Sequence, residues 1–195
     1  MYKFLVFAIF FLMFFYVSCR RQMLHFRGTE VYPVQLAPEI TLTDHAGKAF
    51  NLEEQKGNVV IIFFGFTHCP DVCPMPMTRL KKVSEGLGSA VTGVRIVFIT
   101  VDPNRDQPEN LQNYLDIYND DFIGLRGKQK DLEAVYTSYG IYHNSDTDDE
   151  SSGSYLINHT NSVFVIDKQG NWRLNFIDTA SVEDIIHDVN ILLNE

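Results

Sequence analysis

Apolar positions divide the chain into a few strongly patterned stretches. Residues 59–66, VVIIFFGF, form an unbroken run rich in β-branched and aromatic side chains, and 94–101, VRIVFITV, form a second. Runs of this length without polar alternation predict strands buried on both faces, as in a parallel or mixed sheet covered by helices. Between them Met77, Leu80, Val83 and Leu87 recur at helical spacing, and Gly86 and Gly88 close the segment. Strand, helix and strand then make a βαβ unit with a right-handed crossover. A second helix is expected from Pro108, carrying Leu111, Tyr114, Leu115 and Tyr118. A third is expected over 129–139, carrying Leu132, Val135, Tyr136 and Tyr139.

Weaker patterns fill in the ends. Residues 40–54 read as a loose hairpin around Asp44-His45-Ala46-Gly47. Residues 154–160, SYLINHT, lead into 162–176, SVFVIDKQGNWRLNF, an antiparallel pair turning at 168–171. In the last helix Ser181 and Asp184 have capping-box spacing, and Val182, Ile185, Ile186, Val189, Leu192 and Leu193 share a face. The order β-α-β-α-α-β-β-α predicts a thioredoxin-like α/β fold, a central mixed sheet flanked by helices, with an N-terminal extension and hairpin. Residues 20–38, with Pro33 and Pro38, read as a tether, and the fold proper as 39–195. The stretch 145–154, SDTDDESSGS, has no apolar residue and reads as a solvated loop inserted in the domain.

The N-terminus is a different solvent problem. Residues 4–17, FLVFAIFFLMFFYV, are continuously apolar behind a single cation, Lys3. As a helix they span about 21 Å, short of the ~30 Å hydrocarbon core of a bilayer. Ser18 and Cys19 follow directly, the pattern of a bacterial lipoprotein signal whose cysteine becomes the lipidated first residue. A cleaved secretory signal and an uncleaved anchor are the alternatives. All three export the domain, so 1–19 is a targeting or anchoring segment and the rest lies on the outer face of a membrane.

Composition narrows the function. With 16 basic against 25 acidic residues the chain carries a formal −9, so it has no cation excess for binding nucleic-acid phosphates. Length and 45% hydrophobic content suffice for a core without staples. If Cys19 is lipidated, Cys69 and Cys73 remain, in a compartment where thiol pairs can close into a disulfide.

Those two cysteines sit in GFTHCPDVCPMPM, 65–77, between a buried strand and a helix start. Residues four apart can meet on one turn, and a helix N-terminus favours thiolate, the form that binds metals and attacks disulfides. The bland reading is a structural disulfide or two inert buried thiols. Soft thiolates select Cu(I), Zn(II) or iron–sulfur clusters. A closed zinc site and a cluster both need about four ligands, whereas Cu(I) is satisfied by two thiolates and an imidazole.

Three blocks, GFTHCPDVCP (65–74), ITVDPNRDQP (99–108) and YLINHTNSVFVID (155–167), resemble those of the Sco/SenC family, and the likeness runs from about residue 35 to 193. These are membrane-tethered, thioredoxin-like copper proteins of cytochrome c oxidase assembly. The resemblance implies copper ligands at Cys69, Cys73 and His159 for Cu(I), leaving open whether Cu(II) is also held, and an oxidase subunit carrying a copper site as partner. The family frequently has Asp before the ligand histidine, where this chain has Asn158.

The remaining candidates have plainer readings. His68 could tune Cys69 without ligating beside it. Met77 reads as core, Met75 as a soft neighbour of the site, and Asp71 as an exposed polar contact. Asp102 and Arg105 are expected to fix the loop after the second strand. His25, His45, His143 and His187 read as surface or satisfied histidines. Two functions follow: a copper metallochaperone, or a thiol–disulfide oxidoreductase in which Cys69 attacks and Cys73 resolves. A peroxidase is disfavoured, because Thr67 is two residues ahead of Cys69 rather than three.

Overall fold

The structure is a computed structural model; it describes residues 25–69, 74–145, 157–159, 161–177 and 179–195. Among these described residues eight strands form one sheet in the order β1-β10-β9-β4-β5-β6-β2-β3. Its centre is β4 (Val59–Gly65), buried at every position, flanked by β5 (Val94–Thr100) in parallel and by β9 (Ser162–Ile166) antiparallel. Beyond β5 lies β6 (Ile123–Arg126), also parallel, followed by the hairpin of β2 (Thr41–Asp44) and β3 (Ala49–Asn51). On the other side β10 (Asn171–Ile177) and then β1 (Thr29–Leu36) add antiparallel strands. A separate ribbon pairs β7 (His143–Ser145) with β8 (Ile157–His159).

The helices are α1 (Pro74–Leu87), α2 (Pro108–Asp116), α3 (Gln129–Tyr139) and α4 (Val182–Asn194). Strand alternation distributes two of them over both faces of the sheet. Phe63 stands beside Phe98, which meets Tyr114 of α2, while the next residue, Phe64, meets Tyr136 and Tyr139 of α3 and Phe164 of β9. Helices α1 and α4 pack together so closely that a Cβ at Gly86 would run into the Ile186 side chain. The helical periodicity holds: Met77, Leu80, Val83 and Leu87 of α1 and Leu132, Val135, Tyr136 and Tyr139 of α3 are all buried. Helix α3 stops at Gly140, whose positive φ of 64° lets the Gly140 and Ile141 N–H groups reach back to Tyr136 and Thr137 carbonyls. Ser181 caps α4, its hydroxyl accepting from the Asp184 N–H at 3.1 Å.

Strands β7, β6 and β1 differ from the sequence expectation. The order expected from pattern lacks β6, a four-residue strand. Over Thr29–Leu36 the expected tether is instead a sheet edge, exposed at every position except half-buried Val31, with Pro33 tolerated because an edge strand has one unpaired side. What brings the chain in is Asp188 of α4, fully buried, which accepts from the Arg27 N–H at 2.9 Å and the Gly28 N–H at 2.8 Å.

Candidate metal centre

Strand direction gathers the chemistry at one end of the sheet. In the parallel β4–β5 pair the last residues, Gly65 and Thr100, lie opposite one another. Strand β9 runs the other way, with Val163 opposite Phe63, so it starts where β4 finishes. The segment 66–69 leaves that end, the loop after β5 leaves it beside 66–69, and β8 with His159 arrives at it. Loops at the carboxyl ends of parallel strands are the usual place for a site in such sheets.

Cys69 is buried, 7% exposed, in a turn where its N–H donates to the Phe66 carbonyl at 3.3 Å. Five residues later α1 begins at Pro74. His159 ends β8, and the register puts His143 directly opposite it. Cys73, Asp71 and Cys19 lie outside the described residues. Among the described residues no three His, Cys, Asp or Glu side chains gather to hold a metal.

The turn that carries Cys69 is held by a carboxylate that sequence reasoning passed over. Asp106 is fully buried and accepts from the Thr67 N–H at 3.1 Å, the Thr67 hydroxyl at 2.6 Å and the Thr100 hydroxyl at 2.6 Å. Thr100, also fully buried, accepts in turn from the Asp102 N–H at 2.9 Å. Burial pushes the Asp106 carboxyl above the ordinary carboxylate range; the bonds from Thr100 and Thr67 oppose this, and nearby Asp102 adds to it. Asp106 thereby ties 66–69 to the end of β5. It sits in the second family-like block, yet spacing alone does not separate it from Asp102.

The other candidates fall where expected. Asp102 accepts from Arg105 Nε, and the Arg105 guanidinium lies over the Phe66 ring 5.6 Å from its centroid, so the pair fixes the loop. Exposed His68 is tied through Nδ1 to the Thr67 hydroxyl at 2.9 Å and stands 3.9 Å from Asp106. Met77 is fully buried and Met75 exposed. His45 accepts from the Gly124 N–H at 3.0 Å and His187 bonds Asp188 at 2.8 Å, so both are satisfied. The buried Tyr136 hydroxyl donates to the Thr100 carbonyl at 2.6 Å, and burial raises its pKa, so it stays a donor. One soft sulfur and one imidazole strand at the same end of the sheet suit a soft metal better than a hard one.

Comparison with known proteins agrees. A "SCO2-like protein" of Rickettsia felis is 32% identical over 153 residues, 78% of this chain and 75% of that one. The structure of Bradyrhizobium japonicum ScoI with copper bound superposes with a TM-score of 0.74 at 33% identity, covering 82% of this chain and all of that one. The solution structure of apo Sco1 from Thermus thermophilus gives a TM-score of 0.78 at 30% identity, over 88% and 99% of the two chains. The SCO1/SenC family model matches residues 30–194, and the chain belongs to that family.

Proposed function

We propose that this chain is a copper metallochaperone of cytochrome c oxidase assembly, holding Cu(I) on Cys69, Cys73 and His159 and passing it to thiolates of an oxidase subunit. The observation that carries the reading is topological: antiparallel β9 brings the His159 strand to the end of the sheet from which the Cys69 turn departs. ScoI of Bradyrhizobium japonicum, with the same fold at 33% identity, holds copper, which supports the metal. The acidic domain, formal net charge −9 for the whole chain, has no use for nucleic acid.

Two thiolates and one imidazole form a shallow three-coordinate set for Cu(I). An incoming client thiolate adds before one of the chaperone's own ligands leaves, so the ion is never bare. Asp106, through Thr67, holds the Cys69 turn in place during that exchange. The N-terminal segment 1–19, lipidated at Cys19 or retained as an apolar anchor, keeps the domain at the outer membrane surface. No helix among the described residues is long and apolar enough to cross a membrane.

The test is an anaerobic Cu(I) titration of the reduced full chain in detergent against a competing chelator. One tightly held equivalent, lost in Cys69→Ser/Cys73→Ser and weakened in His159→Ala, is the expected result. No copper above the double-serine level overturns the reading. A second reading, a thiol–disulfide oxidoreductase, draws on the position of Cys69 just ahead of the α1 N-terminus, where thiolate is favoured. That reading requires a redox activity indifferent to His159→Ala.

A further inference from the structure

Strand β1 is an edge that the fold leaves apolar. It is the outermost strand of the sheet, so one side of its backbone lies outside the ladder. On it Tyr32 is 93% exposed, Val34 54% and Leu36 68%, three of the seven large apolar side chains exposed among the described residues, gathered within one short stretch. The register explains their exposure. Between the pairs Glu30–Leu174 and Gln35–Trp172, β1 spends five steps against two of β10, so residues 31–34 leave the ladder. That irregularity and Pro33 blunt the edge against pairing with another strand. What remains is an apolar side-chain surface rather than a template for a further strand.

The chain just ahead of this edge indicates what covers it. The Arg27 and Gly28 N–H groups are fixed to buried Asp188, so the chain is tied to the domain by Arg27. Eight residues separate Arg27 from Cys19, the end of the anchoring segment, and whatever their conformation they reach at most about 29 Å. A domain of this size is roughly 40 Å across. The tether is therefore shorter than the domain is wide, and β1, which starts just past Arg27, stays on the side nearer the anchor. Charge selects the same edge. Strands β1 and β10 carry one acid, Glu30, and one cation, Arg173, in a chain of formal charge −9, and Arg20 and Arg21 add two cations between anchor and strand. An anionic lipid surface attracts those cations and repels most of an acidic domain, leaving this neutral edge to face it.

We infer that the β1 edge, through Tyr32, Val34 and Leu36, rests on the surface of the bilayer that holds the N-terminal segment. The inference rests on the anchoring of 1–19 proposed above and deepens it, because it sets how the domain stands on the membrane. Aromatic and aliphatic side chains beside arginines suit the boundary between headgroups and acyl chains.

The experiment adds a reporter indole to the full chain, which has one tryptophan, Trp172. Tyr32→Trp places it on the edge, and Ile117→Trp is the control, 65% exposed at the end of α2, which packs on β6 away from β1. Both positions are exposed, so the core is untouched. Each variant is reconstituted in vesicles of phosphatidylcholine brominated on its acyl chains, mixed with phosphatidylglycerol, and its emission is read against wild type. The emission added by Tyr32→Trp is quenched several-fold more than that added by Ile117→Trp, and Val34→Ser/Leu36→Ser introduced with Tyr32→Trp shrinks the difference. Equal quenching at the two positions, or none at either in chain that floats with the vesicles, overturns the inference and leaves the anchoring standing. Emission from Tyr32→Trp that is shielded from water in proportion to protein density, without lipid quenching, assigns the edge to a second copy and also overturns it. Chain that does not float with the vesicles overturns the anchoring and the inference together.

Discussion

Removing Asp106 strips three donors of their acceptor at once, and they differ in what they can do next. The Thr100 hydroxyl is fully buried and cannot reach water, whereas the N–H and hydroxyl of half-buried Thr67 can partly rehydrate. A buried donor left unsatisfied costs about 1–3 kcal/mol, so Asp106→Ala costs the full amount at Thr100 and a fraction at Thr67. Relief of a desolvated carboxylate offsets part of this, and the net loss comes to about 2–3 kcal/mol at neutral pH. The pH dependence has a definite sign. Burial raises the folded-state pKa of Asp106, so its contribution is fully present below the ordinary carboxylate range and is lost as pH rises through the raised value. The advantage of wild type over Asp106→Ala therefore shrinks from pH 4 upward. Adding Thr100→Val removes the orphaned hydroxyl, so the double variant is less destabilised than the two singles together by about 1 kcal/mol. Urea unfolding of the four proteins at several pH values measures all of this. A loss under about 0.5 kcal/mol, strict additivity, or an advantage that grows with pH refutes the reasoning.

Three further outcomes follow from other contacts. Asp188→Ala removes the buried acceptor of the Arg27 and Gly28 N–H groups, costing about 2–4 kcal/mol in urea unfolding and speeding hydrogen exchange across 29–36. Ser181→Ala loses the α4 cap and about 1 kcal/mol, while Ser181→Asp, which keeps an acceptor, loses little; thermal unfolding of the pair checks this. Gly124→Val places side-chain carbon 2.7 Å from Leu115 Cδ1 and against Leu111, where both helix residues are buried, and costs about 1–3 kcal/mol by the same urea assay.

What the sequence made legible was whatever buries a continuous apolar stripe. Strands β4 and β5 and the faces of α1 and α3 advertise themselves, since the apolar residues they bury are contiguous or helically spaced within their own segments. Strand β6 does not, because its four residues include Gly124 and it exists through partners, β5 on one side and β2 on the other. Strand β1 is hidden for the opposite reason: almost wholly exposed, it carries no inward stripe, and its place depends on Asp188 some 160 residues away. Cys69 and His159 stood out through motif; Asp106 and the His143–His159 register did not, because both arise from strands brought together only by the fold.

The central claim is that copper sits on sulfur and imidazole in this chain, and the direct measurement is copper K-edge X-ray absorption on the Cu(I)-loaded full chain. The account predicts a first shell of two sulfurs with imidazole scattering behind a nitrogen, and loss of the sulfur shell in Cys69→Ser/Cys73→Ser. A first shell of oxygen and nitrogen alone, or one indifferent to that double variant, contradicts it.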